Sequence, residues 1–237
     1  MIPNKELTEK QYQDLINFQR LFCGGEGLIC ETDNPESLYK IFGHGRIPTP
    51  MAQTKIKKIS ELYELNPEHC IKPISTISLN DIIIGYEMTT KPGLEKASSL
   101  DLSYEEKKYF LTKTKEILEY FSSIGIIYGD LAPRNILFDT NTGDIKFCDM
   151  DNISIAGIPM ELVPFPLQHY EDTKPIDSNV HPYMHNVMSL KTFDLDSYWA
   201  KKPDIKRYFK NPAIKIVKSM EKPEQFNNQY IIKYIKK

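Results

Sequence analysis

Apolar and polar positions in the first part of the chain follow the pattern of short strands. Residues 17–42 contain apolar runs rich in β-branched and aromatic residues, interrupted by a glycine cluster and by a turn at Asp33–Pro35. The run "DIIIGYEM", residues 81–88, has strand length and is followed closely by proline and glycine. Such runs bounded by turn residues predict β-strands.

Two longer stretches have helical periodicity. A helix is predicted from about Met51 to Leu65, where Asn66–Pro67 stops it. A second is predicted from Ser103 to Ser122, with lysines and glutamates around one apolar face. That face consists of Phe110, Leu111, Thr114, Ile117, Leu118 and Phe121. Strands first and helices afterwards indicate the α+β class, with two lobes joined near residues 87–93.

The stretch "IIYGDLAPRNILFDTNTGDIKFCDMDN" carries the candidate chemistry. "NILF" and "DIKFCD" alternate in polarity around "DTNTGD", which predicts a hairpin. Asn135 then enters the first strand and Asp149 leaves the second, so the hairpin predicts both at the same end, with Asp130 in the loop leading in. Carboxylate and amide oxygens suit Mg²⁺, and the third group is free to orient a hydroxyl nucleophile. Phosphoryl transfer requires this layout.

The same stretch resembles the protein-kinase-like superfamily. "YGDLAPRNIL" resembles its catalytic loop, and the Gly-Asp form is also similar to aminoglycoside and choline kinases. "CDMD" falls where the superfamily has its metal-binding Asp-Phe-Gly. The resemblance implies that Asp130 positions the acceptor hydroxyl and accepts its proton, and that Asn135 and Asp149 bind Mg²⁺. Asp151 is either a second metal ligand or a turn acid.

Upstream segments extend the resemblance to the nucleotide site. "CGGEGLI" resembles the glycine-rich loop, which implies that Gly24, Gly25, Glu26 and Gly27 cover the triphosphate of ATP. "SLYKIF" resembles the strand with the phosphate-binding lysine, here Lys40. Without that position and those neighbours, Lys40 would be read as a surface side chain.

The segment "IGYEM" resembles the hinge strand between the lobes. It implies that Tyr86 is the gatekeeper and that backbone groups of Glu87 and Thr89 meet the adenine edge. The implied fold is bilobal. Residues 1–88 would form a β-rich N-lobe with one helix, and residues 89–237 a reduced, mostly helical C-lobe.

The helix at 51–65 should carry the carboxylate partner of Lys40. Counting back from "NPEHCIKP" places the superfamily's usual glutamate near Lys58. Glu61 lies one turn later on the same face, and Glu64 one turn beyond that. We expect Glu61 to be the partner; without either glutamate, the ion pair is absent or rearranged.

Several positions depart from the superfamily pattern. Tyr128 replaces the usual His, and Gly129 replaces the Arg that docks a phosphorylated activation loop, so switching by loop phosphorylation is not expected. Met150 and Asp151 replace Phe-Gly. No Ala-Pro-Glu motif follows, and Asp177, a candidate cap of the central C-lobe helix, is only 28 positions (177 − 149) after Asp149. A peptide-docking platform there would be minimal.

Composition limits the classes of partner and the cellular compartment that the sequence predicts. A net charge of −2 with 26% charged residues does not favour a nucleic-acid binder, and no apolar run approaches the ~18 residues of a membrane span. The lysine-rich "IIKYIKK" is interpreted as a solvated helix face. The cysteines show no CxxC spacing, so a reducing, cytoplasmic setting is expected, with action in another cell's cytosol left open. These are Cys23, Cys30, Cys70 and Cys148.

Two other metal motifs are rejected on spacing. "DTNTGD" begins like a calcium loop, but its twelfth position is Met150 instead of glutamate, so we interpret it as a turn. His181 and His185 are four apart, but Pro182 and a missing glutamate spoil the metalloprotease pattern, which favours a structural role.

The sequence therefore predicts an ATP- and Mg²⁺-dependent phosphotransferase, a minimal protein kinase acting on a protein hydroxyl, with Ser/Thr favoured. Ala132 stands where Ser/Thr kinases carry Lys, and Arg134 is similar to the tyrosine-kinase loop, so Tyr stays open. One alternative is a small-molecule phosphotransferase, although the C-terminal region is short for a large acceptor pocket. Another is a pseudokinase acting as a binding module. An activating partner is left open.

Overall fold

The computed structural model describes residues 1–24, 27–43 and 49–160, together with positions 181, 184, 185 and 188. The chain divides into two compact units. The first unit combines residues 1–93 with 147–161, and the second combines residues 94–146 with 162–237. Strands and helices together confirm the α+β class. The assignment of residues 1–88 and 89–237 as two kinase lobes stays a prediction.

The first unit is built on a six-stranded sheet with the order β1-β5-β6-β4-β3-β2. Strand β4 lies inside the sheet, antiparallel to β3 on one side and β6 on the other. Buried apolar side chains from β1, β3, β4 and β5 form one core cluster with Leu15. The strands are β1 Asn4–Leu7, β2 Arg20–Gly24, β3 Gly27–Glu31, β4 Ser37–Phe42, β5 Pro73–Leu79 and β6 Ile82–Thr89.

Two helices, α1 (Glu9–Phe18) and α2 (Thr49–Leu65), belong to this unit, where the sequence predicted one. Helix α1 was missed, although Tyr12, Leu15 and Ile16 have helical spacing and lie in or against the core cluster. A further available signal was the capping box, in which Thr8 and Gln11 satisfy each other's backbone amides. Helix α2 confirms the predicted one and ends before Asn66, which has a left-handed φ of 45°.

Gly85 in β6 allows the close approach of β4. A Cβ atom at this position would lie 2.2 Å from the backbone oxygen of Lys40 and 3.0 Å from the Cα of Ile41. Both are backbone atoms of β4, so the strand that carries Lys40 would have to move. The sheet therefore requires glycine here for space.

We expect Gly85→Ala to lower the free energy of unfolding by more than about 2 kcal/mol, because the added methyl overpacks two paired strands. Urea titration followed by circular dichroism measures the change. Gly125→Ala is the comparison, since its Cβ would meet nothing within 4 Å and only its left-handed φ of 77° costs about 1 kcal/mol. A smaller loss for Gly85→Ala than for Gly125→Ala would contradict the steric argument.

The second unit contains helix α3, Tyr104–Ser123, close to the predicted range. Ser103 and Glu106 form a capping box at its start. The predicted apolar face is confirmed, since all six of its residues are buried. A three-stranded sheet has the order β10-β9-β7. The remaining strands of the chain are β7 Glu95–Lys96, β8 Ile127–Tyr128, β9 Ile136–Phe138, β10 Ile145–Phe147 and, in the first unit, β11 Ile153–Ser154.

The predicted turn between β9 and β10 is confirmed. The buried carboxylate of Asp139 accepts hydrogen bonds from the backbone amide of Asn141 (2.9 Å) and the hydroxyl of Thr142 (2.7 Å). These local bonds make an Asx-type turn, in which the carboxylate acts as the structural acceptor.

His181 has the structural role that the sequence favoured. Its Nε2 accepts the backbone amide of Tyr128 at 2.8 Å, and its Nδ1 lies 2.7 Å from the hydroxyl of Ser122. Burial lowers the pKa of His181 from 6.5 to about 4, and the carbonyl of Leu118 offsets only part of that shift. The neutral ring therefore supports β8, directly before the Asp130 loop.

This shift predicts a loss of stability in mild acid. The unfolded chain binds a proton at His181 below about pH 6.5, whereas the folded chain does so only below about pH 4, so stability falls as pH drops through that window. From pH 7 to pH 5 the expected loss is about 2 kcal/mol. Urea titrations at both pH values measure it. His181→Gln should flatten the dependence; a curve equal to that of the wild type would contradict the assignment.

Candidate functional site

Lys40 is the centre of a buried charge cluster in the first unit. It lies on β4 and is 4% exposed. Its Nζ donates a hydrogen bond to Oδ1 of Asp149 and another to Oδ1 of Asp151, both at 2.5 Å. The fold thus brings a lysine to two carboxylates more than 100 positions away in the chain.

The segment that carries Asp149 is held in place by backbone hydrogen bonds. The amide of Phe147 donates to the carbonyl of His69, and the amide of Ile71 donates to the carbonyl of Phe147, each at 2.8 Å. Asp149 then adopts a left-handed conformation (φ 61°, ψ 38°) before a 3-10 turn at Met150–Asn152. This backbone region is uncommon outside glycine, and such conformations concentrate at functional sites.

The carboxylate of Asp149 remains accessible on one side. Its side chain is 45% exposed. Oδ1 is bonded to Lys40, while Oδ2 has no hydrogen-bond partner among the residues that the structure describes. An exposed carboxylate oxygen is the kind of ligand that Mg²⁺ takes.

Asp151 is placed very differently, because its carboxylate is completely buried. Oδ2 accepts a hydrogen bond from Nζ of Lys55 on α2 at 2.8 Å, and the hydroxyl of Tyr86 lies 3.3 Å from Oδ1. Lys55 is itself buried, with Nζ 5.7 Å from the centre of the Phe42 ring. Asp151 therefore bridges two lysines inside the unit.

The electrostatics of this cluster follow from burial opposed by neighbouring charges. Burial favours a raised pKa for Asp151, but the ammonium groups of Lys40 and Lys55 outweigh it and hold that pKa well below its usual range. Burial favours a lowered pKa for Lys40, yet Asp151 and Asp149 raise it well above 10.5. Burial and Asp151 raise the pKa of Tyr86 well above 10.0. At neutral pH the cluster holds ionised lysine and aspartate beside a neutral phenol.

Two expectations about this cluster need correction. Asp151 is neither an accessible metal ligand nor a turn acid, because both of its oxygens are occupied by buried ammonium groups. Glu61 is exposed on α2 and is not the partner of Lys40, and Glu64 pairs with the N-terminal amine. The sequence missed Lys55, because a helical lysine normally keeps its charge in water.

The predicted hinge residues belong to the sheet of the first unit. Tyr86 is opposite Lys40 in the β4–β6 register. The carboxylate of Glu87 accepts hydrogen bonds from the hydroxyls of Ser37 (2.7 Å) and Ser75 (3.1 Å). The amide of Thr89 donates to the carbonyl of Lys72 at 2.8 Å, so this N–H is not available to an adenine ring, which corrects that expectation. Strand pairing continues to the end of β6, and sequence resemblance does not reveal such pairing.

Asp130 and Asn135 are brought together in the second unit. Asn135 ends a 3-10 turn, Pro133–Asn135, that leads into β9. Its Nδ2 donates to the carbonyl of Asp130 at 2.9 Å and to Oδ2 of Asp130 at 2.7 Å. The amide oxygen of Asn135 has no hydrogen-bond partner among the described residues, so it is the atom that could bind a cation.

Arg134 is a further residue of this loop. Its Nη2 lies 2.9 Å and 3.0 Å from the two oxygens of Asp130. The Arg134 side chain is 59% exposed, so the pair contributes at most about 1 kcal/mol to stability, and its main effect is on the orientation of the carboxylate. The sequence indicated Arg134 only through its resemblance to the tyrosine-kinase loop, and did not predict it as a partner of Asp130.

The glycine-rich segment forms the end of the β2–β3 hairpin. Gly24 pairs with Gly27 in the ladder. A Cβ atom at Gly27 would lie 2.1 Å from the backbone oxygen of Ile41, so glycine is required there for space. Gly25 and Glu26 lie outside the described residues, as does Asp177.

Each unit by itself carries donors of the kinds that the sequence implied. The first unit has an accessible carboxylate oxygen on Asp149 and a lysine with three N–H donors, two of them used. The second unit, described by itself, has the amide oxygen of Asn135. No group of three metal-ligating His, Cys, Asp or Glu residues occurs in the described part of the chain. Magnesium does not require one, since it takes few protein ligands and completes its shell with phosphate and water.

Comparison with known proteins tests the resemblance to the protein-kinase-like superfamily. No family model matches the chain. Mitogen-activated protein kinase HOG1 of Arthrobotrys oligospora is 31% identical over 157 residues, which cover 61% of this chain and 41% of that protein. HOG1B of Wallemia ichthyophaga is 29% identical over 147 residues, covering 56% and 38%. These similarities support the resemblance to the protein-kinase-like superfamily.

The kinase-like match is partial. The match spans about two fifths of the length of these two relatives. The serine/threonine-protein kinase RUNKEL of Arabidopsis thaliana is 34% identical over 104 residues, which are 39% of this chain and 7% of that protein. In the described part of this kinase-like chain, no helix is long and apolar enough to cross a membrane.

Proposed function

We propose that this protein is a minimal protein kinase that transfers the γ-phosphoryl group of ATP to a protein hydroxyl with the help of Mg²⁺. The observation that carries the proposal is the contact of buried Lys40 with the left-handed, half-exposed Asp149. A lysine beside a carboxylate oxygen that has no partner among the described residues is what binding of phosphate and Mg²⁺ would require. The similarity to protein kinases supports the same proposal.

Each residue has a stated role in the proposed reaction. Lys40 holds the α- and β-phosphates, and the Gly24–Gly27 loop covers them. Asp149 and Asn135 would hold Mg²⁺ through their side-chain oxygens, and the ion would supply positive charge that offsets the charge on the phosphates. Asp130 accepts the proton of the attacking hydroxyl as its oxygen bonds to the γ-phosphorus. The bond from that phosphorus to the β–γ bridging oxygen breaks, and ADP leaves.

The proposed substrate is a protein that carries the acceptor hydroxyl. The proposed setting is cytoplasmic. The relatives that the chain resembles carry protein-kinase names, one of them serine/threonine-protein kinase. We favour Ser/Thr on this basis. The resemblance of Arg134 to the tyrosine-kinase loop leaves a tyrosine hydroxyl as the alternative within the class.

The test is transfer of label from γ-labelled ATP in a cell lysate with Mg²⁺, with an Asp130→Ala protein beside the wild type. Label in precipitated protein that disappears with Asp130→Ala is the expected result, and hydrolysis of the bands separates Ser/Thr from Tyr. Label only in soluble molecules, lost in the variant, indicates a small-molecule phosphotransferase instead. Equal labelling by both proteins, with nucleotide binding retained, indicates a pseudokinase and overturns the proposal.

A further inference from the structure

The completely buried carboxylate of Asp151 connects β4 to α2 within the first unit. One oxygen accepts Lys40 from β4 at 2.5 Å, and the other accepts Lys55 from α2 at 2.8 Å. The hydroxyl of Tyr86 on β6 lies 3.3 Å from the first oxygen. Three elements of the unit therefore meet at one side chain.

The carboxylate of Asp151 lies between two buried ammonium groups, those of Lys40 and Lys55. Lys40 also contacts Asp149. Without Asp151, Lys40 would keep of these two partners only the carboxylate of Asp149, whose side chain is 45% exposed. A buried ammonium group that loses its buried counter-ion is destabilised, so the Lys40 side chain would move toward water.

The two aspartates are suited to different tasks. Asp149 has one accessible oxygen without a partner among the described residues, as a metal ligand requires. A cation could reach Asp151 only by displacing an ammonium group from a site with no exposure. The Nζ of Lys40 uses two of its three N–H donors on these carboxylates, which leaves one for a phosphate oxygen.

We propose that Asp151 is the positioning residue that holds Lys40 in place for the phosphates of the nucleotide, and that Lys55 ties this arrangement to α2. The inference rests on the proposed function, since it assumes that Lys40 binds phosphate. The counter-ion of the phosphate-binding lysine comes from the segment after Asp149, and the helix supplies a second cation. Asp151 acts through Lys40 and touches no substrate.

The test compares two ligands that differ only in phosphates. Binding of ADP and of adenosine is measured by calorimetry in EDTA, so that no metal bound through Asp149 contributes. For Asp151→Asn we expect ADP affinity to fall at least about tenfold while adenosine affinity stays within about twofold, because Lys40 contacts phosphate only. Lys57→Gln, at an exposed position of α2, is the matched control and should bind both ligands as the wild type does.

Two further variants keep the test decisive if Asp151→Asn does not fold. Lys55→Met with Asp151→Asn removes one charge of each sign, so the net charge of the unit does not change; ADP affinity should fall as in the single variant. Lys55→Glu with Asp151→Asn moves the carboxylate onto α2 at the position that already contacts residue 151. This exchange should return ADP affinity to within about threefold of the wild type.

The outcomes separate this inference from the proposed function. Wild-type protein that binds neither ADP nor adenosine overturns the proposed function and the inference with it. Wild-type protein that binds ADP, with unchanged ADP affinity in the Asp151 variants, overturns the inference alone. Equal loss of ADP and adenosine affinity in a folded variant also overturns it, since that result indicates general damage to the unit.

Discussion

Turnover with ATP and Mg²⁺ should fall by about a thousandfold in the Asp149→Asn variant. The amide would keep the shape of the side chain and tolerate the left-handed backbone, so the change removes mainly the negative charge. Asp149 is the accessible carboxylate beside Lys40, and metal-assisted stabilisation of phosphoryl transfer contributes several kcal/mol. Initial rates over a range of Mg²⁺ concentrations measure the loss.

A matched control exists in the same unit. Asp81 is exposed, lies in the turn between β5 and β6, and has a left-handed φ of 63°, close to the 61° of Asp149. Asp81→Asn therefore makes the same chemical change in the same backbone conformation, away from Lys40, and should leave turnover unchanged. Unchanged turnover in Asp149→Asn would rule out Asp149 as a metal ligand.

Replacing Asp130 with asparagine should lower the rate of phosphoryl transfer by about a hundredfold to ten-thousandfold. The amide cannot accept the proton of the attacking hydroxyl, although its oxygen can still accept the hydrogen bond from Asn135. ADP affinity should stay within about twofold, because the proposed role of Asp130 concerns the acceptor. Single-turnover rates and calorimetry provide the two measurements.

Asp101→Asn is the control for this variant, since Asp101 is exposed in the loop before α3. It should match the wild type in both measurements. A rate for Asp130→Asn close to that of Asp101→Asn would refute the role of Asp130 as proton acceptor. Loss of ADP affinity in Asp130→Asn would instead place this carboxylate in nucleotide binding.

The sequence predicted those elements of the fold that are stabilised by interactions between residues close together in the chain. Helix α3 was predicted within one residue of its observed start, since Ser103 caps it and its apolar face repeats at helical spacing. The turn at "DTNTGD" was predicted because Asp139 bonds to backbone amides two and three positions later. In contrast, α1 was missed although its apolar residues have helical spacing, and β5 was missed although Asn80 and Asp81 form a tight turn to β6. Strand β1 was missed because its parallel pairing with the distant strand β5 leaves no local signature.

The candidate site likewise has some features that the sequence predicted and others that it did not. The resemblance predicted which residues carry the chemistry, and the structure brings Lys40 to Asp149 and Asp130 to Asn135. Their catalytic roles stay predictions. The partner of Lys40 was predicted wrongly, because Glu61 has the appropriate chemistry in the sequence but faces solvent on the folded helix.

The sequence by itself determined residue types, helix ends, hairpin spacing and the superfamily resemblance, because these depend on neighbours within a few positions. Tertiary structure decided which charges meet. Lys55 and Asp151 are 96 positions apart, and their pairing follows from the packing of α2 against the turn after Asp149. Burial makes an unpaired charge costly, so the fold selects a balanced set of partners, and no local pattern in the chain encodes that choice.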